Sequence, residues 1–189
     1  MTMTESGAPL TTIYCSQVVH DLWRESELGK NSELARQWRQ QYPMLFGDDD
    51  LAQIVNQASG PKMWGYHFAE WFTAIYLFQR DGSRSLVEKY DTYENHEHNQ
   101  KRQKDKRKVA EYEQVVFDDH RQIHHEICSE FHAGLPDLLV IHTDGGYSFA
   151  EVKGPSDHTL NREPEVKMRN EIWERLRVPT EVVMVRLLP

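Results

Sequence analysis

Apolar residues recur along most of this chain at the three- and four-residue spacing of helices, and the pattern tightens into strands at residues 83–90 and again beyond residue 134. Ser16 is placed to cap a short amphipathic segment whose stripe is Val18, Val19, Leu22 and Trp23. Leu34, Trp38 and Tyr42 follow at i, i+4 and i+8 and stop at Pro43, and Leu51, Ile54 and Val55 predict a third short helix. Residues 1–15 show no periodicity and are expected to be disordered or loosely attached, so residues 1–60 read as a small helical N-terminal region. Gly60-Pro61 punctuates the chain. The strongest helix follows from Met63 to Gln79, with Trp64, Phe68, Trp71, Ile75 and Phe78 on one face and Glu70, Ala74 and Leu77 on the neighbouring stripe. Arg80-Asp81-Gly82 ends it, and Ser83 to Tyr90 reads as a strand with Leu86 and Val87 in the core. From Asp91 to Glu130 the chain is charged and mostly helical. Leu138 to Ile141 is apolar on both faces, as an internal strand is, and a second strand through Phe149 follows a glycine turn. Asn161 to Arg177, or Pro164 to Arg177, reads as a helix with Val166, Met168, Ile172, Trp173 and Leu176 apolar, and Glu181 to Leu188 as the last strand.

Length and composition fit one compact unit with an added subdomain: 189 residues, 39% of them hydrophobic. No apolar run approaches the roughly 18 residues of a membrane span, and the polar start lacks a secretory pattern, so a soluble, cytoplasmic protein is expected. Cys15 and Cys128, far apart in sequence, suggest no disulfide framework. A net charge of −8 counts against nucleic acid as a partner, but its distribution matters more than its total. Acids gather at Asp48-Asp49-Asp50 and Asp118-Asp119, whereas Lys101 to Lys108 carries six basic residues against one acid. That run reads as a solvated helix face or, if it folds onto a catalytic face, as a DNA contact. His120, His124 and Cys128 recur every four residues and share one helix face, which reads first as a partly buried histidine face and alternatively as a zinc site.

Candidate chemistry lies where the strands end. Asp137 opens one apolar strand, and Glu151 and Lys153 end the next. Side chains at i and i+2 share a face, so Glu151 and Lys153 point together while Val152 points away and leaves its carbonyl nearby. Carboxylates, a carbonyl and water suit Mg²⁺ or Mn²⁺ rather than zinc. Register decides whether Asp137 joins them. A two-residue Asp144-Gly145 loop puts Asp137 across from Val152, on the wrong face. A three-residue loop of Asp144, Gly145 and Gly146, with Gly146 left-handed, puts Asp137 across from Lys153 and diagonal to Glu151, and this register is the expectation.

The pattern Pro136-Asp137 followed by Glu151-Val152-Lys153 resembles the signature of the PD-(D/E)XK nuclease superfamily. The longer phrase, from Gly134-Leu135 through Gly154-Pro155 and Asp157, is similar to its VRR-NUC branch, which includes the Fanconi-associated nuclease and standalone phage and bacterial nucleases; the detailed likeness spans about residues 131–157. The resemblance implies an α/β fold with a restriction-endonuclease-like core, a mixed central sheet flanked by helices in the order helix, three strands, helix, strand. It makes residues 61–189 the nuclease domain and about 91–130 a helical insertion. It implies that the first helix adds an acid to the metal cluster, for which Glu70 is the candidate. The family's glutamine three residues before an aromatic falls here on Asn170, before Trp173, a departure from the pattern.

The function expected from these residues and this resemblance is metal-dependent hydrolysis of DNA phosphodiester bonds, with Asp137, Glu151 and Lys153 catalytic. Asp137, Glu151, the Val152 carbonyl and Glu70 are the expected ligands of Mg²⁺ or Mn²⁺. Lys101, Arg102, Lys104, Arg107, Lys108 and Asn170 are candidate DNA contacts. The resemblance implies branched, flapped or junction DNA as substrate, in repair, recombination or phage DNA processing, and a possible homodimer. Alternatives are a sequence-specific restriction endonuclease of the same superfamily and a non-catalytic DNA-binding or scaffold protein on this fold.

Overall fold

Two strands, β1 (Thr2–Met3) and β2 (Pro9–Ser16), precede two helices, α1 (Gln17–Arg24) and α2 (Glu33–Gln41). Helix α3 (Phe68–Asp81), strand β3 (Arg84–Val87) and helices α4 (Lys106–Val115) and α5 (Asp118–Phe131) follow. Strands β4 (Leu138–Ile141) and β5 (Tyr147–Lys153), helix α6 (Glu163–Leu176) and strand β6 (Thr180–Leu188) complete the chain. The computed structural model describes residues 2–3, 7–24, 33–46, 67–87, 90, 106–131, 135–157 and 162–188. The predicted helix at Leu51, Ile54 and Val55, the start of the long helix at Met63 and Trp64, and the acidic run Asp48-Asp49-Asp50 lie outside the described residues.

The protein is α/β, with helices on both faces of one mixed sheet of strand order β1-β2-β6-β5-β4-β3. β3, β4 and β5 form an antiparallel meander, β6 runs parallel to β5 after the α6 crossover, and β2 runs parallel to β6. Leu138, Val140, Ala150, Val152, Val183 and Val185 point to the face covered by α1, α2 and α3. Their alternates Leu139, Ile141 and Phe149 point to the face covered by α4, α5 and α6. Every residue of β4 is buried, as its doubly apolar sequence requires. Gly82 ends α3 in the left-handed conformation with its N–H on the Phe78 carbonyl, at the position expected of it. Among the described residues no helix is long and apolar enough to cross a membrane.

The N-terminal region departs from expectation. Residues 9–16 are a strand of the central sheet, in register with β6 from Leu10↔Val182 to Ser16↔Leu188. Only Ile13 and Cys15 of this strand are buried, so its period-two pattern is too short to stand out in the sequence. Residues 9–16 therefore belong to the central sheet and not to a separate helical region. The two helices there do form, with Val19 N–H donating to Ser16 Oγ at 3.3 Å and Leu34, Trp38 and Tyr42 buried. Of the predicted α1 stripe only Trp23 is buried; Val18 and Leu22 are exposed, because β2 hands the chain to α1 with the Trp23 side inward. Trp23 and Trp38 both meet the ring of Phe68, locking α1 and α2 onto α3 in one core.

Burial pushes the Cys15 thiol up to about 11, opposed by a hydrogen bond involving His20, and Cys128 is fully buried. In native protein at pH 8 neither cysteine should react with a disulfide reagent within minutes, and both should react after unfolding in guanidinium. Rapid labelling of Cys15 in the native protein would mean that β2 is not docked.

Candidate functional site

The β4–β5 hairpin sets the site. Its loop is three residues long, but it is Thr143, Asp144 and Gly145, one residue earlier than expected. His142 N–H donates to the Gly146 carbonyl (2.8 Å), Asp144 Oδ1 accepts from Gly146 N–H (2.9 Å), and Gly145 takes the left-handed conformation at φ 87°. Leu138 then pairs with Ala150, and one step further Asp137 stands opposite Glu151 instead of Lys153. The register differs from expectation by two residues, which preserves the face. Asp137, Glu151 and Lys153 lie on one side of the sheet, the α6 side.

Each is held by its neighbours. Asp137 Oδ2 accepts the Val152 N–H at 2.8 Å, satisfying a backbone donor just beyond the end of the β4 ladder. The buried Tyr90 hydroxyl donates to the Pro136 carbonyl and so fixes the residue before Asp137. Gly154 N–H donates to Asp157 Oδ2 (2.7 Å), and Asp157 N–H to the Gly154 carbonyl (3.1 Å), closing the turn that follows β5. Lys153 is buried, and its ammonium donates to Glu151 Oε1 (2.9 Å) and to Glu165 Oε2 on α6 (2.7 Å).

These charges tune one another. Burial pushes the Glu151 carboxyl up; the Lys153 ammonium opposes that, Glu165 adds to it and Arg169 opposes it. Desolvation pulls the Lys153 ammonium down, but Glu151 and Glu165 outweigh it and its pKa ends above the ordinary value. Pairing alone would move the two partners apart, yet both move up, because burial, helped by Glu165, outweighs the cations at Glu151 while Lys153 has two acceptors. With its two carboxylate partners in place the Lys153 group is an ammonium, a form that hydrogen-bonds and stabilises negative charge rather than abstracting a proton. Arg169, buried on α6, adds a second cation, its pKa lowered by desolvation against the pull of Glu151 and Glu165.

Glu165 and Arg169 are site residues the sequence reading missed. Their spacing of four, with Ile172 and Leu176 buried further along α6, places both on its inward face, and that periodicity is the signal that could have found them. Trp173, expected in the stripe, is exposed, with the Arg177 guanidinium over its ring. Asn170 is exposed, one position past Arg169.

Among the described residues Glu70 forms no group with Asp137 and Glu151 that could hold a metal ion. Helix α3 covers the opposite face of the sheet, and Glu70 has the imidazole of His67 beside it, Nδ1 to Oε1 3.7 Å. The first turn of α3 does reach the end of β5, where a Cβ added at Gly154 would stand 3.7 Å from that of Ala69. Among the described residues no three His, Cys, Asp or Glu side chains are grouped to hold a metal ion. Asp137, Glu151 and the Val152 carbonyl offer oxygen only, a donor set that fits a hard divalent cation in kind.

The basic run is divided. Lys101, Arg102 and Lys104 lie outside the described residues. Arg107 is exposed and pairs with Glu111 at 3.5 Å. Lys108 is not a surface contact: it is buried, its ammonium donates to the Val87 carbonyl and it lies 5.5 Å from the centre of the Trp71 ring. Lys108, Tyr112 and Val116 recur every four residues and form the buried face of α4 and its end.

The histidine face is an aromatic one. His124 Nδ1 is hydrogen-bonded to the Tyr112 hydroxyl and His120 Nδ1 to that of Tyr147, each at 2.8 Å, while Cys128 is buried in the core beside them. No family model matches the chain, and no curated protein or solved structure matches it.

Burial, reinforced by the neighbouring His120, drives the His124 pKa down from 6.5 to about 3. The folded state therefore refuses a proton that the unfolded chain accepts below pH 6.5. The stability this group contributes is full above that value and is lost progressively as pH falls towards 3. Between neutral pH and pH 5 the loss should be about 2 kcal/mol. Thermal melts of wild type and His124→Gln check this: the gap between them should narrow as pH falls from 7.5 to 5, and a constant gap would exclude a neutral buried imidazole.

Proposed function

We propose that the protein is a metal-dependent nuclease that hydrolyses DNA phosphodiester bonds at the ends of β4 and β5. The observation that carries the reading is the placement of Asp137, Glu151 and Lys153 on one face of an internal sheet, with Lys153 buried as an ammonium. The order α3, β3, β4, β5, α6, β6, an antiparallel meander followed by a parallel fourth strand, supports a restriction-endonuclease-like core of the PD-(D/E)XK kind. Helices α4 and α5 are then an insertion between its first and second strands.

Asp137, Glu151 and the Val152 carbonyl would hold Mg²⁺ or Mn²⁺, whose contribution is Lewis acidity towards a phosphoryl oxygen and a lowered pKa for water. The chain's own groups do the rest. Lys153, fixed by Glu165, directs an ammonium at the place where negative charge grows on the phosphorus oxygens. Its burial makes that charge count for more than it would in water. The Val152 N–H orients the Asp137 carboxylate, and the Tyr90 hydroxyl holds the backbone that carries it. Branched, flapped or junction DNA is the substrate class that the sequence resemblance favours. A second reading, a DNA-binding protein on this fold without catalysis, draws on the engagement of Lys153 by two carboxylates.

Asp137→Asn, Glu151→Gln and Lys153→Met should each lower Mg²⁺-dependent cleavage by on the order of 10²-fold or more, with circular dichroism and melting confirming the fold at the assay temperature. The assay is a panel of duplex, flap, splayed and four-way DNAs with Mg²⁺, Mn²⁺ or EDTA. Cleavage confined to branched substrates supports the structure-specific reading, and discrete bands from plasmid DNA support a restriction endonuclease. Wild-type protein that binds these DNAs and cleaves none would establish the non-catalytic alternative.

A further inference from the structure

Glu165 touches neither Asp137 nor the Val152 carbonyl in any contact described above, yet it shares the Lys153 ammonium with Glu151. The two acceptor oxygens stand 2.7 and 2.9 Å from Nζ, and the lysine side chain is only 5% exposed, so water cannot readily replace either of them. Glu165 is itself well anchored. It lies in the first turn of α6, where the unpaired N–H groups of the helix favour negative charge, with Arg162 3.8 Å from its other oxygen and Arg169 facing it from the next turn.

An ammonium with two carboxylate partners is divided between them. A divalent cation that takes Glu151 competes with Lys153 for the charge of its carboxylate, and the energy of that competition depends on what the ammonium keeps. With Glu165 present, Lys153 retains a charged acceptor and stays beside the sheet. Without that charge, Glu151 is the sole anionic partner of the ammonium, and Lys153 competes with the cation more strongly.

Resting on the nuclease reading, we propose that Glu165 is a positioning residue: it draws the Lys153 ammonium towards α6 and so frees Glu151 to bind a divalent cation. Arg169 limits the effect from the other side by holding part of the charge of Glu165.

The test is a double-mutant cycle on Mn²⁺ binding to the full chain, followed by electron paramagnetic resonance of free Mn²⁺ without DNA. Glu165→Gln should weaken Mn²⁺ on the order of fivefold in the wild-type background and have little effect in Lys153→Met, because the role passes through the ammonium. Glu165→Asp, which keeps the charge, should recover part of the affinity and serves if the glutamine variant folds poorly. Equal weakening in both backgrounds would reduce Glu165 to a through-space charge, and no weakening would remove any role; either result overturns the inference while leaving the nuclease reading intact. Wild-type Mn²⁺ binding that is insensitive to both Asp137→Asn and Glu151→Gln would overturn the nuclease reading and this inference with it.

Discussion

The buried ammonium of Lys153 is the constraint around which this end of the molecule is arranged. Removing a cation from water costs several kcal/mol, a cost offset only when close anionic partners are fixed in place. Here one partner is on the same strand and the other on the helix that crosses to the next strand. The ion pair therefore joins β5 to α6. The α6 crossover, which makes β6 parallel to β5, brings Glu165 over the strand end. Arg169, one turn further on, places a second cation against the same two carboxylates. Such a network is poor value as a source of stability, since apolar residues of similar volume often serve as well. Its presence between an internal strand and a packed helix is what gives the functional reading its weight.

The hairpin decides whether that network has a third member. A turn of odd length with glycine in the left-handed position keeps Asp137 and Glu151 on one face, and here the glycine is Gly145 rather than Gly146. The two-residue shift changes which strand residue Asp137 opposes without changing its side. Parity could be expected from an odd loop but not read from β4, because Leu138 to Ile141 is apolar on both faces and carries no alternation to fix it, and the exact turn was not legible either. Asp144-Gly145-Gly146 offers two glycines able to take positive φ, and in the turn that forms Gly145 takes it while Asp144 accepts from the N–H of Gly146.

What the sequence concealed is non-local. Strand β2 presents two buried residues, too few for a pattern, and becomes a strand because β6, at the far end of the chain, leaves an edge for it. Lys108 reads as one charge in a basic run until its spacing with Tyr112 and Val116 is set against the core it enters. Its stem lies among apolar groups, and its ammonium finds the Val87 carbonyl at the end of β3, the strand beside β4. Glu165 and Arg169 were hidden for the same reason: charged residues at helical spacing normally mark the solvent face, and only the buried lysine opposite them inverts that expectation. The helices with large apolar stripes, α2 and α3, were legible because their pattern needs no distant partner to declare it.

The opposite end of the sheet shows why charge burial alone would be a weak warrant for a site. There Glu181 has its pKa raised by burial, with Arg80 and the Thr11 hydroxyl opposing the rise, and Asp81 accepts the Ser83 N–H at 3.0 Å. His142 is hydrogen-bonded to Ser83 at one ring nitrogen and to Ser148 at the other. Those groups are tied by hydroxyls, by backbone and by the Arg80–Asp81 ion pair of two adjacent, partly exposed residues, and they close the ends of α3 and the β4–β5 hairpin as a polar cap does. At the Lys153 end the ties run between full charges of both signs, from two elements, around a strand pair that also presents an opposed carboxylate. Releasing one of those buried ties exposes a charge of either sign to a ligand, whereas the Arg80–Asp81 pair is already partly open to water and a released hydroxyl tie exposes only a dipole. That asymmetry, more than the burial itself, is the physical ground for the proposal that Asp137, Glu151 and Lys153 carry the chemistry.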